Sequence, residues 1–565
     1  MQKRLPIGIE DFKEMIQDGY YYVDKTLLIK ELLDKRAKVN LFTRPRRFGK
    51  TLNLNMLQYF FENTDDKQAN QENRTLFQKK NIMLTGNSYT GQMQSYPVIS
   101  LSFKSAKQTD WDLSFTMLRR QIAREFQRHQ TILNTLSPIK KERYMTIMTE
   151  KDDLGTYLDS IAFLSECLYD CYQKKVIILI DEYDVPLENA YFSGFYPQMI
   201  SFMRSLFESA LKTNMYLEFA VITGCLRITK ESIFTGLNNM EVISILNDNY
   251  GEYFGFTQKE VDELLTYYQL TQVSGILKEW YDGYLFGGME VYNPWSIINY
   301  TKALLANPQA YPIPYWSNTS SSNIVKNLIE QADVRDRDDI EELMAGRTIE
   351  KPLKEDITYE DITASSNNLW NFLLFTGYLK LENRFMEGSL SYGIFSIPNQ
   401  EIRYIYQRFI LEWFDSRIQK ADFSALSRAL EEGDCPAIER ELSCQLESSI
   451  SYYDYREDFY HGFLVGILKS LDSYRVSSNR ESGNGRPDIL LKPRHPKHPA
   501  IVVELKYVKH FSQMERACEL ALEQIQKMNY ANELIQEGYA VVAYGICFCQ
   551  KVCTVKMGQS VNSNF

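Results

Sequence analysis

The chain has 565 residues, 44% of them hydrophobic and 24% charged, with a formal net charge of −10. That length is too great for one hydrophobic core, so roughly two to four domains are expected, and the ordinary balance of residues excludes a fibrous or largely disordered chain. The acidic excess excludes a long-range field that gathers polyanions; any contact with nucleic acid has to come from local basic patches.

The first residues, Met1 to Gly8, carry charge with no apolar run behind them, which argues against a secretory signal. No window approaches the roughly 18 to 20 apolar residues that span a bilayer. A cytoplasmic protein without membrane contact is therefore expected. Nine cysteines include Cys547, Cys549 and Cys553 close together, without a second cluster or a histidine pair at zinc spacing. They read as free thiols, a structural metal being the alternative, and disulfides are not expected in a reducing compartment.

Residues 1–250 alternate near-continuous apolar runs (Val39 to Thr43, Pro97 to Phe103, Val176 to Ile180, Leu217 to Thr223) with helical stretches. Strands of that kind, separated by helices, imply a parallel sheet covered on both faces. Residues 251–400 read as a helical region ending in a small winged-helix-like unit, punctuated by Trp280-Tyr-Asp-Gly-Tyr284 and Tyr292-Asn-Pro-Trp-Ser296. Residues 401–565 form a third region, with an α/β core from about 450. No internal repeat or low-complexity linker is visible.

Arg44-Pro-Arg-Arg-Phe-Gly-Lys-Thr51 lies between the run Val39 to Thr43 and a helix carrying Leu52, Met56 and Phe60. Strand, loop and helix in that order form a phosphate-binding P-loop, in which backbone amides and the helix N-terminus face the anion. Arg47, Gly49, Lys50 and Thr51 are the expected nucleotide-binding residues, Lys50 on the β- and γ-phosphates of ATP and Thr51 on Mg²⁺. The pattern departs from GxxxxGK[ST] at its first position, where Arg44 stands for glycine.

Some 130 residues on, the run Val176 to Ile180 ends in Asp181-Glu182, two carboxylates at the edge of an apolar strand. Asp181 suits the Mg²⁺ shell and Glu182 suits orientation or deprotonation of an attacking water. The run Leu217 to Thr223 exits into Thr223-Gly-Cys-Leu-Arg227. There Thr223 and Arg227 either sense the γ-phosphate, or Thr223 caps a helix and Arg227 pairs on the surface.

Near the C-terminus, Gly485-Arg-Pro-Asp-Ile-Leu-Leu491, a turn-rich spacer and Ile501-Val-Val-Glu-Leu-Lys506 read as a β-hairpin with an acid on each strand. Glu504 and Lys506 differ by two and share a face, and Asp488 can lie beside Glu504. Asp488 and Glu504 would hold Mg²⁺ or Mn²⁺, while Lys506 orients water or stabilises developing charge. Upstream, Glu457 begins a helix whose buried stripe is Tyr460, Leu464 and Leu468. It either faces the metal or is an exposed carboxylate at the helix start. Gln524, on a helix expected from Ser512 to Glu537, either touches the nucleic-acid backbone, holds Lys506, or is solvated. Arg486, Lys492, Arg494, Lys497, Lys506 and Lys509 give this end a local positive excess.

Pro487-Asp488 and Glu504-Leu-Lys506, in the order helix, three strands, helix, strand, resemble the PD-(D/E)XK nuclease superfamily. End to end, the chain looks like a bacterial family that joins an AAA-ATPase-like domain to a PD-(D/E)XK nuclease-like domain. The phrases that carry the likeness are Ile7-Gly-Ile-Glu-Asp-Phe12, Val23-Asp-Lys-Thr26, Arg44 to Thr51, Leu179-Ile-Asp-Glu-Tyr-Asp184, Thr223 to Asn239, Trp280 to Ser296 and Tyr460-His461. The resemblance implies a multidomain α/β protein: a P-loop NTPase-like parallel sheet, a helical middle and a restriction-endonuclease-like αβββαβ domain. It also implies that Arg44-Pro-Arg-Arg is the family's own form of the loop. The expected activity is that of an ATP-binding, ATP-regulated nuclease acting on nucleic acid, DNA ahead of RNA, with homo-oligomerisation possible. The alternative is a switch ATPase whose terminal domain binds nucleic acid or protein without cutting.

Overall fold

Largely apolar runs build the central strands of the first sheet. β1 (Val39–Thr43), β2 (Val98–Ser102), β3 (Val176–Asp181), β4 (Leu217–Gly224) and β5 (Met240–Ile243) pair in parallel in the order β2-β3-β4-β1-β5. Every residue of β1 and β3 is buried, as a sheet covered on both faces requires. The edge strand β5 was not legible as an apolar run: only Ile243 of its four residues is buried.

The computed structural model describes residues 2–151, 153–227, 233–234, 238–318, 334–355, 357, 359, 366–420, 422–447, 457–478, 487–495 and 497–558. The chain divides into two compact units, Met1–Leu328 with Thr348–Ile405, and Ile329–Arg347 with Tyr406–Phe565.

In the first unit the sheet is followed by the helices Gln258–Tyr268, Ser274–Tyr281 and Pro294–Ala306, which share a core containing Leu264, Leu277, Tyr281, Ile297 and Tyr300. Gln258–Tyr268 starts on a full capping box, Thr257 with Glu260. The middle also carries the hairpin β6 (Tyr284–Phe286) and β7 (Met289–Val291). Its three-stranded antiparallel sheet is ordered β8-β10-β9, from β8 (Ile349–Pro352), β9 (Lys380–Glu387) and β10 (Leu390–Ser396).

The second unit holds a mixed sheet in sequential order: β11 (Tyr474–Ser478), β12 (Ile489–Pro493), β13 (Ala500–Tyr507), β14 (Val541–Cys549) and β15 (Val552–Met557). Only β13 and β14 are parallel, and the helix Met514–Lys527 makes the crossover between them. β15 is an addition to the expected αβββαβ order, turned back at Gln550, which adopts φ 53°. Alternation along β13 sorts the two faces. Ile501, Val503 and Leu505 pack with Tyr460, Leu464 and Leu468 of the helix Glu457–Lys469, while Ala500 and Val502 pack with Ile525.

Among the described residues, no helix is long and apolar enough to cross a membrane. All nine cysteines are free.

A buried acid holds the middle of the first unit together. Glu401, fully buried, accepts from Ser296 Oγ (2.8 and 3.0 Å) and from the Trp316 amide (3.0 Å). Burial outweighs these donors and pushes its carboxyl up to about 8. The fold therefore holds a proton that the unfolded chain releases. The resulting stabilisation is full below about 4.5 and is lost as pH rises through about 8. Glu401→Gln keeps both hydrogen bonds without a charge. The stability of wild type relative to Glu401→Gln, followed by urea unfolding, should fall steadily across that window; a constant difference would contradict the assignment.

Candidate functional sites

The strand order decides the first site. β4 lies between β1 and β3, with Thr43 level with Gly224 and Ile180 level with Ile222, so the three C-terminal ends open on one edge. Asp181, 4% exposed, accepts from Thr51 Oγ1 (2.7 Å) and from Thr223 Oγ1 on its other oxygen. Three of the expected residues, separated by up to 172 positions in sequence, thus converge on one carboxylate. A hydroxyl and a carboxylate in contact at the start of a helix suit a hydrated Mg²⁺ beside phosphates.

The loop itself is curled in the left-handed region at Arg47 (φ 71°) and Gly49 (φ 82°). Lys50, 6% exposed, donates to the carbonyls of Arg44 (2.8 Å) and Pro45 (2.9 Å). Its ammonium is thus folded back onto the loop. Arg44 explains the departure from the glycine consensus. It is fully buried and donates to the carbonyls of Thr43 (3.0 Å) and Ile243 (2.9 Å), with its guanidinium over Phe254 and Phe286. The side chain ties the ends of β1 and β5 together. Desolvation without a carboxylate partner lowers its pKa to about 9.

A cavity of about 570 Å³ opens beside the loop. Its polar wall includes Arg46, Arg47, Lys50, Thr51, Glu182 and two lysines that sequence reasoning missed, Lys104 and Lys107. Its apolar wall includes Ile9, Tyr21, Phe256, Trp295 and Ile298. Arg46 is held by Glu188 (2.7 Å), and Arg47 stacks on Trp295 at 4.3 Å. Glu182 adopts φ 52°, a strained conformation for a non-glycine residue. Its pKa is raised first by burial and then by Asp181, with Lys50 opposing. Asp184 accepts from the amides of Cys225 (2.7 Å) and Leu226 (3.1 Å) and fixes the turn after β4. Arg227 stands apart from this cavity and pairs with Glu355 at 3.4 Å. Of the two readings of Thr223 and Arg227, the geometry joins Thr223 to the site and leaves Arg227 in an ion pair.

The second site lies on the face of β13 opposite Val503 and Leu505. Glu504 is 1% exposed. Its Oε1 accepts from Lys506 Nζ (3.3 Å) and from Gln524 Nε2, while its Oε2 is buried with no hydrogen-bond partner among the described residues. Asp488, immediately before β12, accepts from the Leu505 amide at 2.8 Å. The two carboxylates are neighbours: burial first and Asp488 second push Glu504 up to about 7, against the pull of Lys506. An unsatisfied buried carboxylate oxygen beside a second acid fits a divalent cation, which would supply the missing partner. Gln524 reaches Glu504, a partner that none of the three readings of this residue names. The amide instead fixes the acid, from the helix Met514–Lys527 that packs on β13 and β14.

His461 was named only within a family phrase, yet its Nε2 meets the Asp488 carbonyl at 3.1 Å. The helix Glu457–Lys469 thus runs beside the start of β12, while its stripe Tyr460, Leu464 and Leu468 covers the face away from Glu504. The Glu457 side chain, Gly485 and Arg486 lie outside the described residues. Of the basic excess, Lys492 is neutralised by Glu537 (2.8 Å), and Arg494, Lys497 and Lys509 are exposed. No group of three or more His, Cys, Asp or Glu placed to hold a metal occurs among the described residues. The terminal acids Asp488 and Glu504 thus stand as a pair among the described residues.

Comparison with known proteins agrees with this division. Residues 6–234 match the model of a predicted AAA-ATPase family, and residues 455–557 match a model of the PD-(D/E)XK nuclease superfamily. A protein of Azotobacter chroococcum mcd 1, described as an uncharacterized protein in the vnfD 5' region, is 26% identical over 336 residues. That alignment covers 58% of this chain and 57% of the relative, so the chain spans little more than half the length of the relative it matches. No solved structure matches the chain.

Because Arg44 acts as a staple, restoring the consensus should harm the fold. Arg44→Gly is expected to cost about 2–4 kcal/mol in urea unfolding through the cavity it leaves, and Arg44→Met, which keeps the volume and removes the buried charge, less than half of that. Wild-type stability in Arg44→Gly would contradict the role.

Proposed function

We propose that this chain, an AAA-ATPase-like domain joined to a PD-(D/E)XK nuclease-superfamily domain, is an ATP-binding, metal-dependent nuclease whose cleavage answers to the nucleotide. The observation that carries the proposal is Glu504 Oε2, buried and without a partner among the described residues, beside Asp488 with Lys506 on the same face.

In this reading Asp488 and Glu504 hold Mg²⁺ or Mn²⁺, which supplies Lewis-acid polarisation of a phosphodiester. Gln524 pins Oε1 of Glu504 so that Oε2 stays directed into the site. Lys506 sits where negative charge grows on the phosphate and stabilises it. Glu457, whose side chain lies outside the described residues, is proposed as a third acid of this site. The exposed Arg494, Lys497 and Lys509 would meet the backbone of the nucleic acid, with DNA the preferred polymer.

At the other site Lys50 leaves the carbonyls of Arg44 and Pro45 to meet the phosphates of ATP, backed by Arg47 and the amide of Gly49. Thr51 and Asp181 hold the Mg²⁺ that accompanies the nucleotide. Glu182, its proton affinity raised by burial, accepts a proton from the attacking water, and Thr223 fixes Asp181. The apolar wall of Ile9, Tyr21, Phe256 and Trp295 receives the base. Free cysteines throughout agree with a cytoplasmic setting.

A switch ATPase that binds without cutting is the second reading, favoured by the presence of only two described carboxylates at the terminal site. Full-length protein incubated with single- and double-stranded DNA and RNA, Mn²⁺, and ATP present or absent separates the two. Cleavage is expected, reduced at least about 100-fold in Asp488→Asn and in Lys506→Ala with circular dichroism unchanged. Undiminished cleavage in both variants would overturn the assignment, and binding without cleavage under any metal would favour the switch.

A further inference from the structure

Lys104 and Lys107 lie just past the end of β2, a strand that contributes no residue to the loop, the acidic pair or the turn after β4. β2 is paired with β3 so that Ser102 is level with Asp181, and the Phe103 amide donates to the Asp181 carbonyl at 3.1 Å. The two lysines therefore emerge next to Glu182, and both line the same cavity as Lys50, Thr51 and Glu182. Lys104 is near enough to Glu182 to oppose the rise in its pKa. Of the other cations around the cavity, Arg46 pairs with Glu188, Lys25 pairs with Glu260, Lys50 donates to loop carbonyls and Arg47 stacks on Trp295. Lys107 makes no ion pair among the described residues, and Lys104 pairs only with Glu10 (2.8 Å), an exposed residue of the N-terminal segment that also lines the cavity.

Two exposed ammonium groups on the far side of the acidic pair from the loop lie beyond what a diphosphate on the loop would require, since Lys50 and the loop amides would meet its charge. We propose that Lys104 and Lys107 bind the terminal phosphate of a nucleoside triphosphate, and that Lys104 exchanges Glu10 for that phosphate. The inference rests on the nucleotide reading of the cavity and adds to it a means of telling ATP from ADP. Nucleotide state then acts on the N-terminal segment, which is held through Glu10 when a diphosphate is bound and released from Lys104 when a triphosphate is bound.

The test is equilibrium binding of Mg²⁺–ADP and a slowly hydrolysed Mg²⁺–ATP analogue to full-length wild type, Lys104→Ala, Lys107→Ala and Glu10→Gln. Charge-assisted contacts of this kind change affinity by about 10-fold or more when removed. Each lysine variant should lose about that factor for the triphosphate while ADP binding stays within about 2-fold. Glu10→Gln should bind the triphosphate more tightly than wild type, because Lys104 no longer has to give up a partner. Equal losses for both nucleotides, or unchanged triphosphate binding in both lysine variants, would overturn the inference while leaving the nucleotide site in place. Absence of binding of either nucleotide to wild type would remove the nucleotide reading itself and this inference with it.

Discussion

A carboxylate buried on a strand must be compensated, and the way each unit meets that demand organises everything around it. In the first unit Asp181 is satisfied within the protein, by hydroxyls from Thr51 and Thr223. Those two donors come from the helix after β1 and from the end of β4, so meeting the demand also fixes the loop, the acidic strand and the turn after β4 in one register. In the second unit Glu504 is only half satisfied. One oxygen is held by Lys506 and Gln524, and the other has no partner among the described residues. The contrast separates a carboxylate satisfied within the protein from one that keeps an oxygen without a partner among the described residues.

The closed character of the first site extends to its cations. Lys50 rests on loop carbonyls, Arg46 on Glu188 and Lys104 on Glu10. Each of these contacts can be traded for a phosphate oxygen, since each is an ion pair or a charge-assisted bond of similar strength. Arg44 differs, because its contacts are with carbonyls and rings and it is fully enclosed. It belongs to the scaffold that keeps β1 and β5 together beneath the loop.

Much of this was legible in the sequence, for reasons that can be named. Val176 to Ile180 is apolar throughout and Val39 to Thr43 largely so, as strands of a doubly covered parallel sheet are. The Glu504-Leu-Lys506 spacing fixes a shared face whatever the rest of the fold does. What stayed hidden depends on strand order or on reach. Thr223 meets Asp181 only because β4 is inserted between β1 and β3, and local pattern says nothing about that. Gln524 could be assigned to the site but not to Glu504, since its partner depends on where the helix crosses β13. Lys104 and Lys107 follow the end of a run that was recognised, and the rule that ligands gather at the carboxyl ends of parallel strands would have found them. Edge strands β5 and β15 escaped because short, half-exposed strands lack a run long enough to read.

The unpartnered oxygen of Glu504 is the point on which the account turns, and cation binding probes it without depending on any substrate. Mn²⁺ titrated calorimetrically into nucleotide-free, full-length protein should give saturable binding that disappears in Asp488→Asn while the fold persists. Identical isotherms for the two proteins would contradict the claim that the paired acids form a metal site.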